Sequence, residues 1–224
     1  LINFNLDGLG FEAALPRMVD TIIGCGLAWL GVTYIFPDWK FRRLPHTISR
    51  SIEAQCQYLS EIVKQYQYGR NNSLNYRIVR RAAHNRDADV ASLVSTLATE
   101  PDFDPTQKTM AFEFLCLSHT FLSYIAALGA HRDQIHDQDT LKLLDQALDD
   151  IQGALLHDQR PELSIINMQQ LIRKRMNQTE ELASKELIVL QQLQLIFSIL
   201  QQLSGLKQNL SHERDDQSTE LASI

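Results

Sequence analysis

The chain has 224 residues, 44% of them hydrophobic and 21% charged, with 21 Lys plus Arg against 27 Asp plus Glu for a formal charge of −6. That balance argues against a protein built to coat nucleic acid, because such proteins draw their affinity from neutralised phosphates. Cys25, Cys56 and Cys116 are widely spaced in apolar stretches, which suggests neither a disulfide framework nor a zinc cluster. The first residue is Leu1 rather than Met, so the sequence is expected to be a piece of something longer, preceded by the rest of the same polypeptide.

The stretch MVDTIIGCGLAWLGVTYIF at 18–36 holds one charge, Asp20, and is about as long as a helix needs to cross roughly 30 Å of hydrocarbon. Trp29 and Tyr34 within it, and Trp39 after Pro37-Asp38, suit the membrane interface. Arg17 stands alone before the stretch, whereas Lys40, Arg42, Arg43 and Arg50 come after it, which places everything downstream in the cytoplasm. A carboxylate one turn inside a lipid-embedded helix is expensive unless it faces a bundle interior or a wet pathway. Asp20, with Arg17 and Thr21, is therefore the candidate set for transport or packing; pairing of Asp20 with Arg17 at headgroup level is the structural alternative.

Farther on, Ile48, Ile52, Cys56, Leu59, Val63 and Tyr66 recur at steps of three and four, predicting an amphipathic helix that stops at Gly69. A second helix over 74–99 carries Ile78, Ala82, Val90, Leu93 and Leu97, and the two are expected to form an antiparallel hairpin. The sequence from 110 to 130 is apolar and long enough to span a membrane, but Glu113 and His119 favour a buried bundle helix instead. Leu141, Leu144, Leu148, Ile151 and Leu155 mark a helix over 139–157, ended by Arg160-Pro161. Leu182, Val189, Ile196, Leu203 and Leu210 then fall at a spacing of seven with Leu193 and Leu200 beside them, the pattern of a helix with a continuous apolar seam. Five glutamines between 187 and 206 make that helix too polar for lipid, and the polar residues 212–224 read as a disordered tail.

The fold class predicted is all-α, one transmembrane helix followed by a cytoplasmic antiparallel helical bundle. Its parts are an interfacial or periplasmic end over 1–16, the span over 17–37, the bundle over 38–211 and the tail over 212–224.

No enzymatic constellation stands out. None of the seven histidines has a Glu three residues before it, as a di-iron bundle would need, and no Gly-rich phosphate loop or His-Glu-x-x-His is present, so no metal or other cofactor is expected. His84, Asn85, Arg86 and Asp87 form the densest polar cluster on any predicted helix, preceded by Arg77, Arg80 and Arg81. It is read either as an anion site or as structure, with Arg86 as an ion-pair partner for a neighbouring helix. His119 is read as a satisfied core histidine.

Four segments, RMVDTIIGCGLAW at 17–29, IFPDWKFRRLP at 35–45, RRAAHNRDADVASLVSTLATEP at 80–101 and LCLSHTFLSYIAALGAHRDQI at 115–135, resemble the YccS/YhfK-type inner-membrane proteins of the fusaric-acid-resistance or aromatic-acid-exporter family. The resemblance is specific from about 11 to 135 and only general beyond. It implies a bacterial inner-membrane location and a longer chain with two blocks of membrane helices, each followed by a cytoplasmic helical region. It also implies a homo-oligomer that exports small aromatic or amphipathic acids on an ion gradient, and it transfers no site residues. The alternative function is a membrane-anchored scaffold that docks a partner through the seam from Leu182 to Leu210.

Overall fold

The computed structural model describes residues 9–31, 43–70, 74–98, 104–131, 133–157, 162–178 and 184–221, with side chains between 14 and 211 other than those of His131 and Ser184. All regular structure among the described residues is helical, as the apolar periodicities dictate: α1 (Leu9–Leu30), α2 (Leu44–Tyr68), α3 (Leu74–Leu97), α4 (Pro105–Leu128), a 3₁₀ turn (Gly129–His131), α5 (Gln138–Leu156), α6 (Glu162–Asn177) and α7 (Ser184–Leu221). The chain divides into two compact units, Leu1–Trp39 and Lys40–Ile224.

The first unit contains α1, which runs through Pro16 and begins well before residue 17, where the span was expected to start. Met18, Ile22, Ile23, Leu27 and Trp29 are all more than half exposed. The end of the predicted span at 32–37, with Tyr34, and the following Trp39 lie outside the described residues.

In the second unit α2 is the central helix, packed against α3, α4, α5 and α7. Thirteen of its 25 residues are buried against seven of 24 in α4, so α2 fills the place that apolarity alone assigns to the 110–130 segment. Its predicted stripe is buried throughout, Ile48, Ile52, Cys56, Leu59, Val63 and Tyr66 each being 3% exposed or less. Gly69, at φ +89, ends the helix in a conformation that glycine adopts without a Cβ penalty. The C-terminal end of α2 is fastened by Tyr66, whose Oη donates to the Leu128 carbonyl at 2.6 Å, and by the Ile135 N–H, which donates to the Tyr66 carbonyl at 3.0 Å.

The α2–α3 hairpin forms as expected, but α3 is turned relative to its predicted stripe. Tyr76, Ala83, Asp87, Val90, Val94 and Leu97 face inward, while Ile78 is 54% exposed. Helix α4 begins earlier than the apolar run, because Asp104 accepts from the Gln107 N–H at the N-cap and Pro105 takes the first helical position. The Pro101–Pro105 punctuation thus opens α4 as well as following α3. Helix α5 is capped by Asp137, which accepts from the Thr140 N–H at 2.9 Å and holds Arg175 of α6 at 2.7 Å. Those hydrogen bonds, led by that of the Thr140 hydroxyl, hold the Asp137 carboxyl below its ordinary range.

Helix α6 lies in a stretch the periodicity left unassigned, burying Ile165, Met168 and Ile172 against α7 and α5. The Gln169 amide donates to the Phe197 carbonyl at 3.0 Å, tying α6 to α7. In α7 the seam is buried: Val189, Leu193, Ile196, Leu200, Leu203 and Leu210 are all 5% exposed or less, while Leu182 lies outside the described residues. The backbone of α7 continues to Leu221, past the point at 212 where a tail was expected, since no Gly or Pro follows Gly205 to stop it.

By length and composition Pro105–Leu128 and Lys185–Ser211 are apolar enough to cross a membrane. Both lie in the helical unit, packed on each other, and both expose chiefly polar side chains: Thr109, Glu113, His119 and Ser123 on α4, and Gln191, Ser198, Gln201 and Gln202 on α7. Phe112 and Leu195 are the large apolar exceptions.

Cys56 and Cys116 make this packing testable. Burial pushes the Cys56 thiol up from its ordinary 9.0 to about 12, with Lys207 lowering it and Glu53 raising it by lesser amounts, whereas Cys116 is exposed. The thiolate is the reactive form. Cys116 is therefore expected to alkylate readily at pH 8 and Cys56 only once the unit unfolds. The raised pKa also fixes a sign. Stability from the buried neutral thiol is complete below about pH 9 and is lost as pH climbs towards 12. Alkylation of Cys56 in the native protein at the rate of Cys116 would contradict the packing of α2.

Candidate functional site

One set of polar side chains that meets inside the helical unit comes from three helices. On α3, Asp87 sits on the inward face and is 6% exposed. Its Oδ1 accepts from Ser118 Oγ at 3.4 Å and its Oδ2 lies 2.8 Å from His119 Nδ1, both on α4. Ser118 Oγ in turn accepts from Gln55 Nε2 of α2 at 2.9 Å, and Gln55 Nε2 also reaches Ser51 Oγ at 3.3 Å. Ser51, Gln55 and Ser118 are fully buried, so a polar thread crosses the α2–α3–α4 interface. A buried network of this kind stabilises when its members are satisfied and penalises when they are not. Here one acceptor, Gln55 Oε1, has no partner among the described residues.

The rest of the predicted cluster is distributed around this thread. His84 is exposed, with its ring centroid 6.4 Å from that of Tyr58, and Asn85 is exposed. Among the described residues Arg86 pairs on its own helix and not, as expected, with a neighbouring one. Its Nη1 lies 3.0 Å from Asp89 Oδ2 on the same helix, because the one-turn spacing brings them together at the surface. His119 is not a core histidine either: its side chain is 69% exposed, and only Nδ1 reaches inward to Asp87. Of the four residues His84 to Asp87, only Asp87 enters the core, while Arg86 lines a surface cleft with α2.

That cleft, about 290 Å³, lies between the first half of α2 and the second half of α3. Arg43 at the N-cap of α2 and His46 and Arg50 in its first two turns recur at three- and four-residue steps, opposite Arg86 and Asp89 of α3. In the sequence Arg43 and Arg50 bear only on orientation, and nothing there brings them to Arg86. The Gln55–Ser118 link was also missed. The available signal was Gln55 itself, a polar residue between the stripe positions Ile52 and Cys56.

Arg17, Asp20 and Thr21 are exposed on α1. The Thr21 hydroxyl donates to the Arg17 carbonyl at 2.8 Å, and among the described residues no ion pair joins Arg17 to Asp20. No group of three or more His, Cys, Asp or Glu side chains is placed to hold a metal among the described residues.

An apolar helix with large side chains outward, followed by a helical unit threaded by internal polar contacts, makes this an all-helical protein with an exposed apolar segment. Of three relatives, one is named as an inner-membrane protein. The chain is 47% identical over 212 residues to the inner membrane protein YccS of Escherichia coli strain K12, covering 94% of this chain and 30% of that protein. It is 33% identical over 217 residues to an uncharacterized protein of Haemophilus influenzae, and 35% identical over 131 residues to a Neisseria gonorrhoeae protein named ORF2, covering 92% and 58% of this chain. The chain belongs to the YccS-type proteins. It spans about 30% of the length of these relatives. No protein-family model and no solved structure matches it.

Proposed function

We propose that the chain is part of an inner-membrane exporter of small aromatic or amphipathic acids, in which α1 crosses the bilayer and the helical unit lies in the cytoplasm, supporting assembly or gating without catalysis. The observation that carries the reading is the exposed apolar surface of α1, with Ile22 68%, Leu27 64% and Trp29 63% exposed, in a chain related to a protein named as inner-membrane. The basic residues Lys40, Arg42, Arg43 and Arg50 support a cytoplasmic location for the helical unit. The polar exposed faces of α4 and α7 favour water over lipid around them. In this reading the partners are the bilayer, the remainder of the polypeptide and further copies of the protein. The scaffold alternative loses its docking surface, since the seam from Val189 to Leu210 is filled by the unit's own helices.

Alkaline phosphatase fused after Ile224 of the whole protein is expected to be inactive, because the enzyme requires the periplasm. Activity there would overturn the topology. Within that topology, Asp20→Asn is expected to abolish export of an aromatic carboxylic acid at near-normal membrane abundance. Unimpaired export at equal abundance would remove Asp20 from the pathway.

A further inference from the structure

The cleft between α2 and α3 concentrates positive charge in a chain whose formal charge is −6. Arg43 and Arg50, with His46 between them, line it from the N-terminal end of α2, and α3 brings Arg86 to the same hollow. Among the described residues that line it, Asp89 is the one carboxylate. That carboxylate pairs with Arg86 at 3.0 Å, with side chains 39% and 54% exposed, so water screens the contact and an incoming anion can compete for the guanidinium. The threonines at the rim are turned away from such a role. Thr47 donates its hydroxyl to the Arg43 carbonyl at 2.9 Å and Thr96 to the Ser92 carbonyl at 2.9 Å. The guanidinia supply the charged donors of the hollow.

We infer that this cleft binds a phosphate-bearing anion. A planar carboxylate is satisfied by one guanidinium fork, whereas a tetrahedral phosphate presents oxygens in several directions and suits guanidinia arriving from two helices. The volume, about 290 Å³, sits at the lower end of small-molecule sites and fits a headgroup-sized ligand. The phosphate can belong to a lipid headgroup or be free in solution. Neither export nor the topology of α1 is required for such binding.

The test uses the chain in detergent with four probes: inorganic phosphate, dihexanoyl-phosphatidylglycerol, zwitterionic dihexanoyl-phosphatidylcholine and benzoate. Inorganic phosphate or the phosphatidylglycerol is expected to bind saturably and raise the melting temperature. The double variant Arg43→Gln with Arg50→Gln is expected to weaken that binding about tenfold or more, with helicity unchanged. Arg77→Gln with Arg80→Gln removes the same charge from exposed positions of α3 outside the cleft and is expected to leave affinity within about twofold. Binding of inorganic phosphate alone identifies a soluble ligand, and binding of the phosphatidylglycerol alone identifies a headgroup. The inference is overturned by benzoate or the phosphatidylcholine binding as tightly as the anionic phosphate probes, by no saturable phosphate or phosphatidylglycerol binding in the millimolar range, or by equal losses in the two double variants.

Discussion

Phe121→Ala is expected to destabilise the helical unit by about 3–5 kcal/mol, and Phe112→Ala on the same helix by about 0.5 kcal/mol or less. Phe121 is 0% exposed and stands in the inward row of α4 with Phe114, Ser118, Ile125 and Leu128, whereas Phe112 is 60% exposed. Truncating the first removes a buried ring and leaves a cavity between α4 and its neighbours; truncating the second removes a ring that mostly faces outward. For a unit of this size the difference corresponds to a drop of roughly 6–20 °C in melting temperature for Phe121→Ala, read by circular dichroism. The pair also probes α4 itself, which has the length and apolarity of a membrane span. Equal losses at the two positions would mean that Phe112 is covered as well, by lipid or another chain, and the packing of α4 as a two-faced bundle helix would not hold.

Legibility of the fold in the sequence followed the strength of each apolar stripe. In α2 and α7 the inward positions are large aliphatics at unbroken steps, and every described member of the predicted stripes is buried. In α3 the inward row depends on Ala83 and Asp87, a small residue and a charged one, so counting apolar residues turned the helix toward Ile78, which faces outward. Helix α6 buries only Ile165, Met168 and Ile172, while Leu163, Ile166 and Leu171 on other faces are exposed and blur its period. The candidate site was less legible because its contacts are long-range. Asp87 finds Ser118 and His119 more than thirty positions away, and Arg86 shares its cleft with Arg43 and Arg50 of another helix. Spacing along one helix identifies a face; which face meets which is decided by the packing of α2 at the centre.

Asp87→Ala is expected to cost about 2–3 kcal/mol, because it removes an ionisable acceptor from the α3–α4 interface and leaves the buried Ser118 hydroxyl without the oxygen to which it donates. Asp87→Asn keeps one carbonyl oxygen in nearly the same place and is expected to cost about half as much. Double-mutant cycles then separate the two contacts. Ser118 is fully buried and also accepts from Gln55, so removing Asp87 and Ser118 together should be markedly less damaging than the sum of the single changes, with a coupling of about 1–2 kcal/mol. His119 meets Asp87 at the shorter distance, 2.8 Å, but its side chain is 69% exposed, and water is available to replace the contact. Its coupling to Asp87 is expected to stay at about 1 kcal/mol or below. Shorter distance and larger energy are thus expected to part company, with burial deciding the order. A cost below about 0.5 kcal/mol for Asp87→Ala, or a His119 coupling larger than that of Ser118, would show that the buried thread contributes little to holding α3 against α4.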